Sequence, residues 1–155
     1  MIEIERKFLV NATTFLEQAT GEKKIKQGYL TKDPERTVRV RIMDQQAFLT
    51  IKGASDAAGL MRFEWEKEIP MEEAEALLKL ALPTVIEKIR YTVPHGQYIL
   101  EVDVFAGQHN GLILCEVELN SPQDTVVMPS WVGKEVTGDP TYYNSALSSA
   151  GGETK

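Results

Sequence analysis

Ile2-Glu3-Ile4-Glu5-Arg6-Lys7-Phe8, near the start of the chain, alternates apolar and charged side chains, with Arg6 as the one charged residue at an apolar position. In a β-strand, residues two apart point to the same face. Glu3, Glu5 and Lys7 therefore share one face, and the apolar side chains of the stretch share the other. The pattern predicts a strand over residues 2–10 that has one charged face and one apolar face.

Seven further segments show the same alternation and are bounded by turn residues. They predict strands over residues 25–31, 37–44, 47–52, 62–69, 85–93, 98–105 and 112–119. Pro70 opens an amphipathic helix that Pro83 ends, and its apolar residues fall at helical spacing: Ala74, Leu77, Leu78 and Ala81. Shorter helical segments are predicted over 13–19 and near 142–147, and the stretch around Trp131 shows no clear pattern. The sequence thus predicts a single α+β domain over residues 1–150, dominated by antiparallel sheet, and a loose tail over 151–155.

Charged residues of like sign occupy alternate positions on the predicted strands. The pairs are Arg39 and Arg41, Glu64 and Glu66, Lys88 and Arg90, Glu101 and Asp103, and Glu116 and Glu118. For any single pair, a charged face exposed to water is the commoner explanation. The whole set is better explained by a closed barrel with its charges inside, because converging like charges destabilise a fold unless they are paired or bind a ligand. An acidic wall suits a hard divalent cation and a basic wall suits a phosphate chain, so the pattern predicts a metal–polyphosphate site.

The composition excludes several classes of protein. The 155-residue chain carries a net charge of −6, which argues against broad nucleic-acid binding because that requires a surplus of basic residues. Cys115 is the only cysteine, so no internal disulfide can form and a reducing compartment is expected. The N-terminus lacks the apolar core of a signal peptide, and no apolar run approaches the length needed to cross a bilayer. We therefore expect a cytoplasmic protein with neither a nucleic-acid partner nor a membrane partner.

These motifs resemble those of the CYTH, or triphosphate tunnel metalloenzyme, superfamily. Glu3-Ile4-Glu5-Arg6-Lys7 matches its ExExK signature, at the extreme N-terminus and on a predicted strand. Further motifs agree in order along nearly the whole chain: Gln27-Gly28-Tyr29-Leu30, Arg39-Val40-Arg41, Thr50-Ile51-Lys52, Glu64-Trp65-Glu66, Glu87-Lys88-Ile89-Arg90-Tyr91, Glu101-Val102-Asp103-Val104-Phe105, Glu116-Val117-Glu118 and Glu135-Val136-Thr137. The chain is similar to the compact bacterial branch, in which inorganic triphosphatases are known. It departs from relatives between Ser121 and Trp131, where they often carry a longer helix.

The resemblance implies an eight-stranded antiparallel β-barrel, the triphosphate tunnel, with a few flanking helices and a homodimeric assembly. It implies Mg²⁺ or Mn²⁺ as the cofactor, held by Glu3, Glu5, Asp103, Glu116 and Glu118. It implies that phosphates are bound by Lys7, Arg39, Arg41, Lys52, Lys88 and Arg90, with Arg62 on the same interior face. The expected catalytic positions are Glu64, Glu66, Lys88 and Tyr29, and the two glutamates would order basic side chains or the attacking water.

The predicted function is metal-dependent hydrolysis of inorganic triphosphate, or of a related triphosphate, to phosphate and pyrophosphate. An adenylyl cyclase and a thiamine or nucleoside triphosphatase of the same family bind a triphosphate with the same residues. The motifs therefore do not separate these activities. A non-catalytic polyphosphate-binding module would be favoured by a missing acidic position, yet every expected acidic position is filled. His95, His109 and Cys115 are not arranged as a nucleophile, and this phosphoryl transfer requires none.

Overall fold

Strands dominate the computed structural model, which describes residues 1–81, 83 and 85–153, with side chains described as far as residue 148. The strands in this part of the chain are β1 (Ile2–Val10), β2 (Gly21–Thr31), β3 (Thr37–Met43), β4 (Gln46–Ser55), β5 (Met61–Ile69), β6 (Ile86–His95), β7 (Tyr98–Phe105), β8 (Ile113–Glu118) and β9 (Val132–Glu135). The α-helices are α1 (Met71–Leu78) and α2 (Asn144–Glu153), and short 3-10 helices lie at Thr14–Glu17, Gly107–His109 and Pro140–Tyr142. None of the helices described has both the length and the apolar character needed to cross a bilayer.

Eight of the strands close into an antiparallel barrel in the order β5-β4-β3-β2-β6-β7-β8-β1. β1 closes the ring because its first residues pair with β5, with Ile2 opposite Phe63, while later residues pair with β8, with Glu5 opposite Glu118. β9 joins the same sheet beside the last part of β1. The predicted eight-stranded antiparallel barrel with flanking helices is thereby confirmed.

Helices and loops bury the apolar faces of the strands on the outside of the barrel. Ala74 of α1 packs against Val40 of β3 and Ala47 of β4, and none of the three is more than 1% exposed. A second cluster holds Phe15 and Trp131, whose ring centroids are 5.5 Å apart, together with apolar side chains of β1, β6, β7 and β8. Each large apolar side chain that is fully buried contributes about 1.5–3 kcal/mol, so both clusters favour the orientation in which the charged faces point inward.

Some boundaries differ from the predicted ones. β2 begins at Gly21 rather than at residue 25, because its polar first residues pair with β6 although they show no apolar alternation. β9 is unpredicted, since four residues are too short for a periodic signal and the strand depends on its pairing with β1. α1 ends at Leu78, although the apolar spacing continues to Ala81. α2 includes residues 151–153 of the predicted loose tail, and residues 154 and 155 lie outside the described residues.

The C-terminal segment crosses one end of the barrel. Leu147 of α2 packs with Tyr29, Phe105 and Leu114 in a buried apolar cluster. The chain before α2 also meets the turn between β4 and β5, where two glycines, Gly59 and Gly138, are in close backbone contact. The C-terminal segment therefore packs across this end of the barrel.

Gly59→Ala is expected to lower the free energy of unfolding by more than Gly96→Ala does, because a contact with Gly138 is added to the cost of about 1–3 kcal/mol of an unfavourable backbone conformation. Gly59 has a φ of +73°, which disfavours a side chain, and a Cβ built there would lie 2.2 Å from the Cα of Gly138. Gly96→Ala is the matched control, because Gly96 has a φ of +61° but nothing within 4 Å of its Cβ position. Denaturant unfolding of both variants measures the difference. Equal losses would mean that backbone conformation alone, and not the contact with Gly138, accounts for the effect.

Candidate active site

The charged faces of the barrel strands line one interior cavity of about 310 Å³. Every predicted site residue except Lys88 and Asp103 lines this cavity: Glu3, Glu5, Lys7, Tyr29, Arg39, Arg41, Lys52, Arg62, Glu64, Glu66, Arg90, Glu116 and Glu118. Acidic and basic side chains from separate strands thus line one partly open cavity. Such a space can bind a ligand that carries charges of both signs, such as a metal–phosphate complex.

Strand register places the acidic residues beside one another. β1 pairs with β8 so that Glu5 lies opposite Glu118 and Lys7 lies opposite Glu116. Glu116 in turn lies opposite Glu101 of β7. Side chains directly opposite each other on a sheet are close enough to interact, so these carboxylates form one acidic wall.

Two carboxylates of this wall have contrasting surroundings. Burial opposes ionisation of Glu116, but Lys7 at 3.4 Å and Arg90 at 3.2 Å lower its pKa to about 2. Burial raises the pKa of Glu5 to about 8, and the nearby carboxylates of Glu116 and Glu3 add to this rise. No cation of the described residues lies within ion-pair distance of Glu5. The protein therefore leaves the negative charge of Glu5 poorly compensated.

Carboxylates of β1 and β5 hold two of the basic residues. Lys52 Nζ lies 3.0 Å from Glu3 Oε1 and 3.5 Å from Glu64 Oε2. Arg39 lies 3.8 Å from Glu66. Burial raises the pKa of Glu64, and the neighbouring Glu3 contributes to this rise. The ion pairs fix these basic side chains around the cavity before any substrate is bound.

Two arginines of the cavity are held by uncharged acceptors instead. Arg41 Nε donates to Gln27 Oε1 at 3.1 Å. Arg62 Nε donates to the carbonyl of Gly53 at 2.7 Å, and its terminal nitrogen donates to Thr37 Oγ1 at 3.3 Å. A neutral acceptor orients a guanidinium without neutralising it, so both arginines keep their charge for an anion.

Lys88 and Asp103 lie behind the cavity wall rather than on it. Asp103 Oδ2 is 2.7 Å from Lys88 Nζ, and Arg90 donates to the two Asp103 oxygens at 2.8 and 2.9 Å. Burial opposes ionisation of Asp103, but Arg90 and Lys88 hold its pKa well below the usual range. Burial lowers the pKa of Lys88 to about 8 in spite of Asp103, and Arg90 and Arg41 add to this shift. The predicted roles of Lys88 in catalysis and phosphate binding, and of Asp103 in metal binding, stay predictions.

The C-terminal segment supplies contacts that the sequence pattern does not predict. Lys7 Nζ donates to the carbonyl of Tyr142 at 3.0 Å, and Lys88 Nζ donates to Asn144 Oδ1 at 3.1 Å. The ring of Tyr143 lies 5.9 Å from Lys7 Nζ. These three C-terminal residues follow no alternation, so only the tertiary fold identifies them.

Further side chains line the cavity beyond those predicted, among them Lys23, Thr37, Thr50, Thr92 and Glu101. Glu101 lies on the predicted inward face, two residues from Asp103 on the same strand, but the sequence gives it no role of its own. Lys23 lies in the first part of β2, which the alternation does not cover. Most of the others are uncharged, so no charge pattern marks them.

The donor set of the acidic wall suits a hard divalent cation. Carboxylate oxygens are the ligands that Mg²⁺ and Mn²⁺ prefer, and the wall offers those of Glu3, Glu5, Glu116 and Glu118. The poorly compensated charge of Glu5 favours a cation at the same place. In the described part of the chain, no three His, Cys, Asp or Glu side chains already converge as ligands on one point. The residues therefore fit such an ion in chemistry and charge, and their side chains would turn to bind it.

Known proteins share this sequence and architecture. The family sequence model of the CYTH domain matches residues 1–148. An inorganic triphosphatase of Acetivibrio thermocellus is 42% identical over 146 residues, which cover 94% of this chain and 92% of that protein. An inorganic triphosphatase of Nitrosomonas europaea is 39% identical over 153 residues, covering 95% of this chain and 97% of that protein. The crystal structure of an inorganic triphosphatase superposes with a TM-score of 0.65 at 34% identity and covers 94% of this chain and 97% of its own. The chain belongs to the CYTH domain family.

Proposed function

We infer that this chain is an inorganic triphosphatase, which hydrolyses inorganic triphosphate to phosphate and pyrophosphate. The observation that carries this conclusion is the single cavity in which acidic residues of β1 and β8 meet basic residues of β3, β4 and β6. Phosphoryl transfer mainly requires positioning of the substrate and neutralisation of its charge, and such a cavity supplies both. Two relatives that are inorganic triphosphatases match this chain over 92% and 97% of their own lengths.

The basic side chains of the cavity are the proposed phosphate ligands: Lys7, Arg39, Arg41, Lys52, Arg62 and Arg90. Bonds from these cations to phosphate oxygens are charge-assisted, and a planar guanidinium can bind two oxygens at once. We propose that Glu64 and Glu66 order this set, which is supported by their ion pairs with Lys52 and Arg39.

Mg²⁺ or Mn²⁺ is the proposed cofactor, with Glu3, Glu5, Glu116 and Glu118 as the residues that would hold it. When bound, such an ion supplies Lewis-acid stabilisation of the negative charge that builds on the phosphate oxygens. We assign Asp103 a different role from the one predicted, because its carboxylate is already bonded to Lys88 and Arg90. In this role the Asp103 carboxylate holds Arg90 in place, and Lys88 binds the same buried carboxylate.

Hydrolysis also requires a positioned water molecule. Glu64 is the candidate that orients it, because its raised pKa makes this carboxylate a stronger base than an exposed glutamate. Tyr29 lines the cavity at the end of the barrel that the C-terminal segment crosses, where it packs with Leu147. From there the Tyr29 hydroxyl can donate a hydrogen bond to the end of a phosphate chain.

We further propose that the protein is a cytoplasmic homodimer that acts on a small polyphosphate, without a nucleic-acid or membrane partner. The proposal of a dimer is supported by two exposed apolar side chains that are neighbours across β1 and β5. Ile2 is 62% exposed and Phe63 is 43% exposed. The proposal of a reducing compartment is supported by Cys115, which is a free and buried thiol.

The protein is expected to release phosphate from inorganic triphosphate with Mg²⁺ or Mn²⁺, to lose this activity in a chelator and to regain it when metal is restored. Pyrophosphate, ATP and thiamine triphosphate serve as parallel substrates in a phosphate-release assay. Inorganic triphosphate is expected to be the best of them, because half of the described residues that line the cavity are charged and few offer an apolar side chain to a base or thiazole. Cyclic AMP formed from ATP would identify a cyclase instead. Binding of triphosphate without any phosphate release would identify a binding module.

A further inference from the structure

The basic residues of the cavity differ in how their charge is compensated. Carboxylates lie within ion-pair distance of Lys7, Arg39, Lys52 and Arg90. No carboxylate of the described residues lies that close to Arg41. Burial, together with the nearby charges of Arg39 and Arg90, lowers the pKa of Arg41 to about 9. Arg41 is therefore a half-buried cation without a carboxylate partner among the described residues, and an anion bound in the cavity would compensate its charge.

Gln27 is the residue that holds Arg41. It lies on β2 directly opposite Arg41 on β3, and no part of it is exposed. Its Oε1 accepts a hydrogen bond from Arg41 Nε at 3.1 Å. The orientation of the amide follows from chemistry, because a reversed amide would place the Nε2 donor against the Nε donor. The two terminal nitrogens of Arg41 bond no described residue, and the side chain lines the cavity.

We propose that Gln27 is a positioning residue, which turns the Arg41 guanidinium toward the cavity and leaves its charge for a phosphate group of the substrate. The proposal rests on the proposed function, since that function supplies the phosphate. The acceptor must be neutral, because a carboxylate at this position would pair with Arg41 and compete with the phosphate.

The surroundings of Gln27 also separate this role from a structural one. Its Nε2 is buried and has no partner among the described residues. A buried donor without a partner costs folding free energy, which offsets part of the stabilisation by the Oε1 bond to Arg41. Removing the amide should therefore weaken substrate binding while lowering the melting temperature little, whereas loss of a purely structural residue would lower the melting temperature and leave binding unchanged.

Gln27→Met and Gln27→Glu test the proposal. Methionine keeps the length of the side chain without the acceptor, and glutamate keeps the shape while adding a negative charge. We expect the KM for inorganic triphosphate to rise about tenfold in Gln27→Met, the fold-change that corresponds to a weak hydrogen bond to a charged group, and to rise further in Gln27→Glu. Calorimetry with inorganic triphosphate in a chelator should rank the Kd values in the same way: lowest in the wild type, higher in Gln27→Met and highest in Gln27→Glu. The same two substitutions at Gln97, which is exposed in the turn after β6, are the matched controls and should change neither constant.

Arg41→Ala separates failure of the inference from failure of the proposed function. If Arg41→Ala binds and hydrolyses triphosphate like the wild type, the proposed phosphate grip itself is wrong. If Arg41→Ala is impaired but Gln27→Met is not, only the inference about Gln27 is wrong. Because Gln27 acts through Arg41, adding Gln27→Met to Arg41→Ala should change KM little, and additive losses would contradict the proposal. Wild-type affinity in Gln27→Glu would also overturn it, even if Gln27→Met did not fold.

Discussion

Glu5→Gln is expected to reduce metal-dependent triphosphate hydrolysis at least about a hundredfold, because charge stabilisation by a bound metal contributes several kcal/mol to the rate. The amide keeps the size of the side chain but removes a carboxylate that has no ion-pair partner among the described residues and whose pKa is raised by burial. The fold should persist, since Glu5 makes no ion pair with the described residues. Glu75→Gln, on the exposed face of α1, is the matched control and should hydrolyse triphosphate at the wild-type rate.

The same substitution should change how the stability of the metal-free protein depends on pH. The pKa of Glu5 is about 8 in the fold, against an ordinary value of 4.5. The folded state therefore holds the proton more tightly than the unfolded chain does. The associated stability is complete below pH 4.5 and is lost as the pH rises toward 8. Urea unfolding in a chelator should show this decline in the wild type and a shallower one in Glu5→Gln. Full activity together with an unchanged pH profile would contradict the assignment of Glu5 to the metal site.

The alternation of side chains along the strands accounts for how much of the site could be predicted from the sequence. Side chains of a strand point alternately to its two faces, so the apolar residues, which pack on the outside, fix which charged residues point inward. This is why Glu3, Glu5 and Lys7 could be placed together from one short stretch, and why the inward residues of distant strands followed. Closure of the barrel then brings faces together that are far apart in the chain.

This alternation shows which face of a strand a residue occupies, but not where along the barrel axis the residue lies. Lys88 and Arg90 share one face of β6, yet only Arg90 lines the cavity. Lys88 is covered because Asn144 of α2 reaches it, and α2 comes from a segment that follows no strand pattern. The position of Asp103 is likewise set by its two cations, which depend on the register of β6 against β7. Contacts of this kind arise only when distant segments pack, so no local pattern encodes them.

Asp103→Asn is expected to destabilise the metal-free protein by about 3–5 kcal/mol, the cost of leaving buried charges without their partner. Asp103 is bonded to Lys88 at 2.7 Å and to Arg90 at 2.8 Å, and all three side chains are buried. Asparagine keeps the size but not the charge, so Lys88 loses its carboxylate partner and Arg90 keeps only those of Glu101 and Glu116. Urea unfolding in a chelator measures the loss. Asp44→Asn is the matched control, because Asp44 is exposed in a turn and asparagine tolerates its φ of 53°.

The pH dependence of Asp103→Asn should be opposite to that of Glu5→Gln. The pKa of Asp103 is held below its ordinary value of 3.8, so its contribution is present above that pH and is lost as the solution becomes more acidic. The wild type should therefore lose more stability on acidification than Asp103→Asn does. A metal-binding role for Asp103 predicts another outcome, in which affinity for Mn²⁺ falls while the metal-free protein keeps its stability. That result would support the predicted role of Asp103 as a metal ligand. Arg90 would then be held chiefly by Glu101 and Glu116, which lie 3.2 Å from its terminal nitrogens.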